Sequence, residues 1–375
     1  MTLKTEHDHG ALGARPQSLQ GHGLRETSPV RAPPPVPRIA SLAVLKNPAR
    51  AASQQEALDR LGLAEDEFAQ GIFSRSGINR RELNLDDDFL ASSLRGRTAR
   101  VEQDLLEQSV CAVDLLGIDP ELVGTVLTSS LYSLGCPSLA HRLIEHYGLD
   151  TATDKYHVTA VGCASAVPLL RLGSQILQAN PARDVLVVAA ESMSSILVPA
   201  RDGDPRVKTV GSAIFGDGCA AALLSTRGQA TGPAVLATAA YQIPGTLDAV
   251  VLTFDEQDSH LALARHLPSI AAEQLPRLVE DFLAENRVGR EQIAHWMLHP
   301  GGRRIVEEAR DALDLTDEDV AVSWQALAEH GNVGTPSIFY VLDSTLRDRC
   351  PDAGELGLAV TIGPGVTVGL MLVGF

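Results

Sequence analysis

Buried-strand runs alternating with amphipathic helices constrain this chain more than any other feature of it. The run DVLVVAAES (184–192) is apolar through its middle, so both of its faces need cover, as in a sheet held between layers. IASLAVL from Ile39, VGTVLTSS (123–130), HVTAVG before Cys163, HWMLHP, and the closing GLAVTIGPGV and TVGLMLVGF read as further strands. Between them SQQEALDRLGL, the run from Arg97 to Leu116, SLAHRLIEHYGL, LPSIAAEQLPRLVEDFLAEN and GRRIVEEARDAL carry helical periodicity. Aromatic residues are only 4% of the chain, so Ala, Val and Leu must fill most of the core. An α/β fold is predicted.

At 375 residues the chain is long enough for two ordinary domains or one duplicated fold with a large core. Two segments repeat one pattern: a strand leads to a reactive residue and then to a helix, in HVTAVGC and again in WMLHP. That pattern predicts a duplicated layered αβ fold, with 38–230 and 231–375 as its halves and the site at their junction. Residues 1–37, ending in SPVRAPPPVPR, have no periodicity and are expected to form a disordered leader that catalysis does not need.

The net charge of −16 argues against nucleic acid or an anionic membrane as a partner. No apolar run approaches the ~18–20 residues of a membrane span, and the N-terminus has no apolar signal segment. A cytoplasmic location is expected. The five cysteines lack CxxC spacing and are odd in number, so neither a disulfide framework nor a zinc site is expected. Four of them are expected to be small buried core residues.

Three reactive side chains stand where elements end. Cys163, in KYHVTAVGCASAVPLL, follows a strand and opens a helix. The unpaired N–H groups and positive end of that helix would lower a thiol's pKa, although a packed core cysteine has the same local sequence. Pro168 removes a backbone bond near the fifth helical position, so this helix is expected to kink or start late. His299, in AHWMLHPGGRRI, precedes Pro300-Gly301-Gly302, a glycine-rich helix entrance that allows close approach by a ligand, with Arg303 and Arg304 beside it. Asn332, in LAEHGNVGTPSIFYVLD, reads either as a helix N-cap or as an amide donor to a developing oxyanion. A thiol, an imidazole and a carboxamide are the parts needed to hold an acyl group as a thioester. They can also stabilise the enolate formed when a malonyl thioester loses carbon dioxide. The Cys–His–Asn order also occurs in papain-like proteases, but the chain lacks their CGSCW-type context.

From about Ile39 to Phe375 the chain resembles the thiolase superfamily, and within it the type III polyketide synthases, the chalcone-synthase-like enzymes. VGCASA, IFGDGCAAALL, LHPGGRRI, EHGNVGTPSIFYVLD and TIGPGVTVGLMLV carry the resemblance in that order. It implies the thiolase fold, a duplicated αβαβα five-layered architecture, in a homodimer. It also implies that Cys163 is the acylated nucleophile and His299 the base that keeps it as a thiolate. His299 and Asn332 would together hold the thioester oxygen during malonyl decarboxylation. Phe215 matches the family's gatekeeper phenylalanine, and Leu261 stands near the second gatekeeper position without its ring. Gly363, Pro364 and Gly365 match a loop that lines the cavity. Gly301, Gly302, Arg75 and Arg304 are the implied contacts for coenzyme A.

The chain departs from the family pattern at Ala166, Pro168, the longer TSSLYSLGCPS segment, Gly334 and Thr335. The implied reaction loads a starter from acyl-CoA, or from an acyl carrier protein, and extends it with malonyl-CoA. Coenzyme A thioesters would then be substrates, with no metal or other cofactor. An aliphatic starter is expected, because Gly334 removes a side chain beside the cavity and Leu261 replaces an aromatic one. The alternative is a ketosynthase III-like enzyme that condenses once, or an acyltransferase of the same fold.

Overall fold

Proline-rich sequence gives way to alternating apolar residues at Arg38, where the first strand among the described residues starts. The computed structural model describes residues 35–197, 205–228, 230–254 and 259–375, so the expected leader lies almost entirely outside the described residues. β1 (Arg38–Val44) is followed by α1 (Gln54–Arg60) and α2 (Glu67–Ser74), framed by the short antiparallel strands β2 (Ala51–Ser53) and β3 (Arg80–Glu82). Local chemistry sets these helix starts: Ser53 and Glu56 form a capping box, and Asp66 accepts from the N–H groups of Phe68 and Ala69.

α3 (Asp87–Ala91) and α4 (Leu94–Leu116) come next, and Gly117, in the left-handed conformation, ends α4. β4 (Val123–Ser129), α5 (Leu139–Tyr147), β5 (Asp154–Val158), α6 (Ala166–Ala179) and β6 (Asp184–Glu191) follow. α7 (Ser194–Leu197), α8 (Pro205–Ile214) and β7 (Gly218–Ser225) complete the first half. The second half opens with β8 (Ala234–Gln242), the hairpin β9 (Val250–Phe254) and β10 (Ser259–Leu263), and α9 (Leu267–Glu285). β11 (Ile293–Leu298), α10 (Arg303–Ala312), α11 (Ala321–His330), α12 (Ser337–Ser344), β12 (Leu356–Gly363) and β13 (Thr367–Gly374) close the chain.

Nine strands form one sheet in the order β11-β12-β13-β8-β1-β7-β6-β4-β5. The halves meet at β1 and β8, where Arg38 pairs with Ala234 and Gly232 comes so close that a Cβ would lie 1.8 Å from the Ile39 carbonyl oxygen. Outward from that junction the two halves repeat. β1 is antiparallel to β7, β7 antiparallel to β6, and β6 parallel to β4. Likewise β8 is antiparallel to β13, β13 antiparallel to β12, and β12 parallel to β11. Only β5 has no counterpart strand among the described residues of the second half.

Period-two alternation explains the layers. On β6, Leu186 and Val188 face a core with α4 and α5, while Val185 and Val187 face a second core with α6 and α12. On β13, Met371 and Val373 join that same central core, while Leu370 and Leu372 face α9 and α10. Helices, strands, the helices α6 and α12, strands, and helices again make the five layers expected above. α6 starts late, as Pro168 requires: a 3-10 turn occupies Gly162–Ala164, and the proline falls in the first α-helical turn, where its missing N–H costs nothing. One expectation fails. Only Cys219 is a buried core cysteine, whereas Cys111, Cys136 and Cys350 are exposed.

Candidate active site

The nucleophile elbow is built by backbone shape. After β5, Ala160 (φ 61) and Gly162 (φ 62) reverse the chain into the turn that carries Cys163. A Cβ on Gly162 would lie 2.9 Å from Pro364 Cδ, and one on Gly363 would lie 2.6 Å from the Ala164 nitrogen. Two absent side chains therefore let the C-terminal loop press directly on the elbow.

His299 follows β11 and is fixed through its backbone, its N–H donating to the Val360 carbonyl at 2.8 Å. Its ring is buried, and neither ring nitrogen has a hydrogen-bond partner among the described residues. Burial pulls its pKa down to about 4, so the imidazole is neutral and carries one N–H at pH 7. Gly301 keeps the ring's edge clear: a Cβ there would stand 3.2 Å from Nε2.

Asn332 reaches the site through a clasp. Phe215 and Asn332 form a parallel bridge in which the Asn332 N–H donates to Ile214 O at 2.8 Å and the Gly216 N–H donates to Asn332 O at 3.0 Å. This clasp is what brings IFGDG beside EHGN. The Gly334 N–H donates to Asn332 Oδ1 at 2.9 Å, which fixes that atom as the oxygen, since only an oxygen accepts it. The Cys163 thiol lies 3.7 Å from the same Oδ1, and Nδ2 donates to the Gly301 carbonyl at 3.1 Å. The capping alternative fails, because α12 begins only at Ser337.

Cys163 departs from the expected depressed pKa. Burial pushes the thiol up to about 12, and the nearby Glu191 carboxyl adds to the rise. The contact with Asn332 and the elbow's own N–H oppose it without prevailing. Burial therefore favours the neutral form of both thiol and imidazole.

All three residues line one cavity of about 970 Å³. Phe215, Leu261, Gly301, Gly302, Gly363 and Pro364 line it too, as expected, and so do Arg75 and Arg304. Gly334 and Gly365 do not. The missing Cβ of Gly334 would meet Met193 Cε at 2.7 Å and Glu191 Cγ at 3.0 Å, so that space is filled by protein, and its φ of 68 explains the glycine. Gly365 (φ 107) shapes the turn between β12 and β13. The premise that Gly334 opens the passage is thereby overturned.

Sequence reading missed Arg265, which with Arg75, Arg303 and Arg304 puts four exposed arginines on the rim. Arg303 and Arg304 are paired with Glu307 and Glu308 at 2.7 and 2.6 Å, while Arg75 and Arg265 have no carboxylate partner among the described residues. It also missed the aliphatic wall of Leu131, Met193, Ile196 and Val210, which no family motif marks, and Ile214, which opens IFGDG.

Comparison with known proteins gives the chain a family. Residues 45–283 match the model of the FAE1/type III polyketide synthase-like proteins, and residues 235–374 match the C-terminal domain of chalcone and stilbene synthases. The chain is 30% identical over 366 residues to a 3,5-dihydroxyphenylacetyl-CoA synthase of Streptomyces toyocaensis, covering 91% of this chain and 90% of that protein. It is 27% identical to the α-pyrone synthesis polyketide synthase-like Pks18 of Mycobacterium tuberculosis, covering 96% and 97%. PKS-I of the brown alga Ectocarpus siliculosus superposes with a TM-score of 0.83 at 25% identity, covering 92% and 99%. The fold is also that of 1,3,6,8-tetrahydroxynaphthalene synthase from Streptomyces coelicolor, with a TM-score of 0.81 at 21% identity, covering 89% and 98%.

Proposed function

The chain belongs to the type III polyketide synthase family, and from that premise we propose that it loads an acyl starter on Cys163 and extends it with malonyl-CoA. The observation that carries this reading is the convergence of Cys163, His299 and Asn332 on one buried cavity with a rim of arginines. Arg75 and Arg265 suit the phosphates of coenzyme A, and the cavity they border also holds Cys163, where its thioester would react.

In the loading step the Cys163 sulfur adds to the thioester carbonyl and coenzyme A leaves, its sulfur taking the thiol proton by way of His299. Malonyl-CoA then loses carbon dioxide, and the electron pair of the broken C–C bond becomes the enolate. The N–H of His299 and the free N–H of Asn332 are the donors for its oxygen. The enolate carbon attacks the Cys163 thioester, forms the new C–C bond and expels the Cys163 thiolate. Because the bond that breaks supplies the electrons, the step calls for no metal or redox cofactor. Counting malonyl units per starter by mass spectrometry tests the reading. Two or more support it, and one or none would favour a ketosynthase III-like enzyme or a plain acyltransferase.

We further propose an aliphatic starter, supported by Leu131, Met193, Ile196, Val210, Ile214 and Leu261, a stretch of wall with no side-chain hydrogen-bonding group. Each methylene buried there is worth ~0.8 kcal/mol, so kcat/KM should rise about fourfold per added carbon until the chain meets the cavity end. A flat response, or a preference for cinnamoyl-type starters, would reject this starter class.

The same reading places the enzyme in the cytoplasm as a homodimer. β5 is an edge strand of the sheet, and Tyr156 on it and Leu134 beside it are 45% and 56% exposed. Sedimentation velocity should give a dimer, and Tyr156→Lys with Leu134→Lys should shift it towards monomer. A monomeric wild type would refute the dimer.

A further inference from the structure

β6 ends at Glu191, whose carboxyl group is fully buried behind the cavity wall. Three loops converge on it. The Leu131 N–H donates to Oε2 at 2.8 Å and Ser130 Oγ lies 3.4 Å from the same atom, so the wall segment carrying Leu131 hangs on this carboxyl. Thr335, on the loop of Asn332, holds its Oγ1 3.2 Å from Oε1, and its backbone N–H also donates to this carboxyl. The same hydroxyl lies 3.0 Å from the carbonyl oxygen of Gly162, the residue before the nucleophile. Glu191 Cγ also packs against Gly334, where a Cβ would stand 3.0 Å from it.

Proton counting decides the charge state that fits. A threonine hydroxyl has one proton, and the Gly162 carbonyl can only accept. A carboxylate at Glu191 would compete with that carbonyl for the single proton. A carboxylic acid instead donates from Oε1 to Thr335 Oγ1, whose own proton then goes to Gly162, and every group is satisfied. Burial acts in the same direction and lifts Glu191 to about 8, outweighing the N–H groups of Leu131 and Thr335 and the hydroxyls of Ser130 and Thr335, which favour a carboxylate. The ionisable groups that face it are thiols, Cys163 on the elbow and Cys219 on β7, and an ionised Glu191 raises the pKa of both.

We propose that Glu191 is a positioning residue for the condensation: as a neutral acid it locks the elbow of Cys163 to the loop of Asn332 through Thr335, and its ionisation breaks that link and disfavours the thiolate. This inference rests on Cys163 being the nucleophile. The carboxyl touches neither substrate nor reacting atoms. It acts through Thr335 and through charge.

Glu191→Gln tests the role, since an amide supplies an N–H towards Thr335 and a carbonyl towards Leu131 but has no proton to lose. Product formation, and iodoacetamide alkylation resolved to the Cys163 peptide, are followed from about pH 6 to about pH 10. The wild type should lose activity on the alkaline side with a midpoint near 8. Glu191→Gln should keep activity within about threefold of wild type near neutrality, without that alkaline loss, and its Cys163 should alkylate faster at high pH. Thr335→Ser, which keeps the relay, should stay near wild type, while Thr335→Val should lower kcat about tenfold or more with little change in KM.

An alkaline limb that persists in Glu191→Gln would overturn the proposal. So would a folded Glu191→Gln as inactive as Glu191→Ala at every pH, or a Thr335→Val variant equal to Thr335→Ser. If Glu191→Gln does not fold, the threonine pair decides. Failure of the nucleophile assignment reads differently, because labelled acyl-CoA would then fail to mark Cys163 in the wild-type enzyme.

Discussion

Cys163→Ala should abolish starter loading and chain extension while leaving a slow decarboxylation of malonyl-CoA. The sulfur is the proposed acyl carrier at the elbow, so its loss should lower product formation by on the order of 10⁴-fold or more. The donors for the enolate oxygen, His299 and Asn332, are untouched by the change, and acetyl-CoA should still accumulate from malonyl-CoA. Labelled acyl-CoA followed by peptide mapping reads the first half of the expectation, and radiolabelled malonyl-CoA reads the second. Label on Cys136 or Cys219 would sink the assignment. Plain alkylation is the poorer probe: Cys111, Cys136 and Cys350 are exposed and react with iodoacetamide, whereas burial holds the Cys163 thiol near 12. Acyl transfer discriminates where alkylation does not, because only Cys163 lies in the cavity that receives the thioester.

The layers of the fold were legible because they rest on alternation. Neighbouring residues of β6 go to opposite cores, and the same is true of β13, so an apolar run in the sequence is a statement about two buried faces. The late start of α6 was legible from Pro168 for an equally local reason. Glycines mark a close approach but not its direction. Gly363 does admit the C-terminal loop against Ala164, as a motif glycine should, whereas the space beside Gly334 holds Met193 and Glu191 instead of opening the cavity.

Electrostatics was the least legible part. A strand-to-helix elbow predicts a stabilised thiolate, and the elbow's own N–H does favour one, but burial outweighs it. Burial depends on every layer at once, so no window of sequence reports it. The same holds for Glu191, which reads locally as the polar end of a strand. Its place among Leu131, Thr335 and Gly162 comes from three loops far apart in the chain.

Asn332→Ala should separate the two halves of the reaction. Acyl loading needs the thiol and a base, and both Cys163 and His299 remain in this variant, so labelled starter should still appear on Cys163 at a rate near wild type. Decarboxylation needs a second donor at the enolate oxygen, and its loss should cost on the order of 100–1000-fold. Part of any general slowing comes from local structure, because Oδ1 also accepts from the Gly334 N–H and Nδ2 ties down the Gly301 carbonyl. Asn332→Asp controls for this: its carboxylate keeps the acceptor for Gly334 but has no N–H to donate, and its negative charge opposes an enolate. If the amide acts as a donor, Asp should be at least as damaging as Ala for decarboxylation. If it only orders the loop, Asp should rescue the rate. Decarboxylation of malonyl-CoA at the wild-type rate by Asn332→Ala would reduce the residue to the clasp it forms with Phe215.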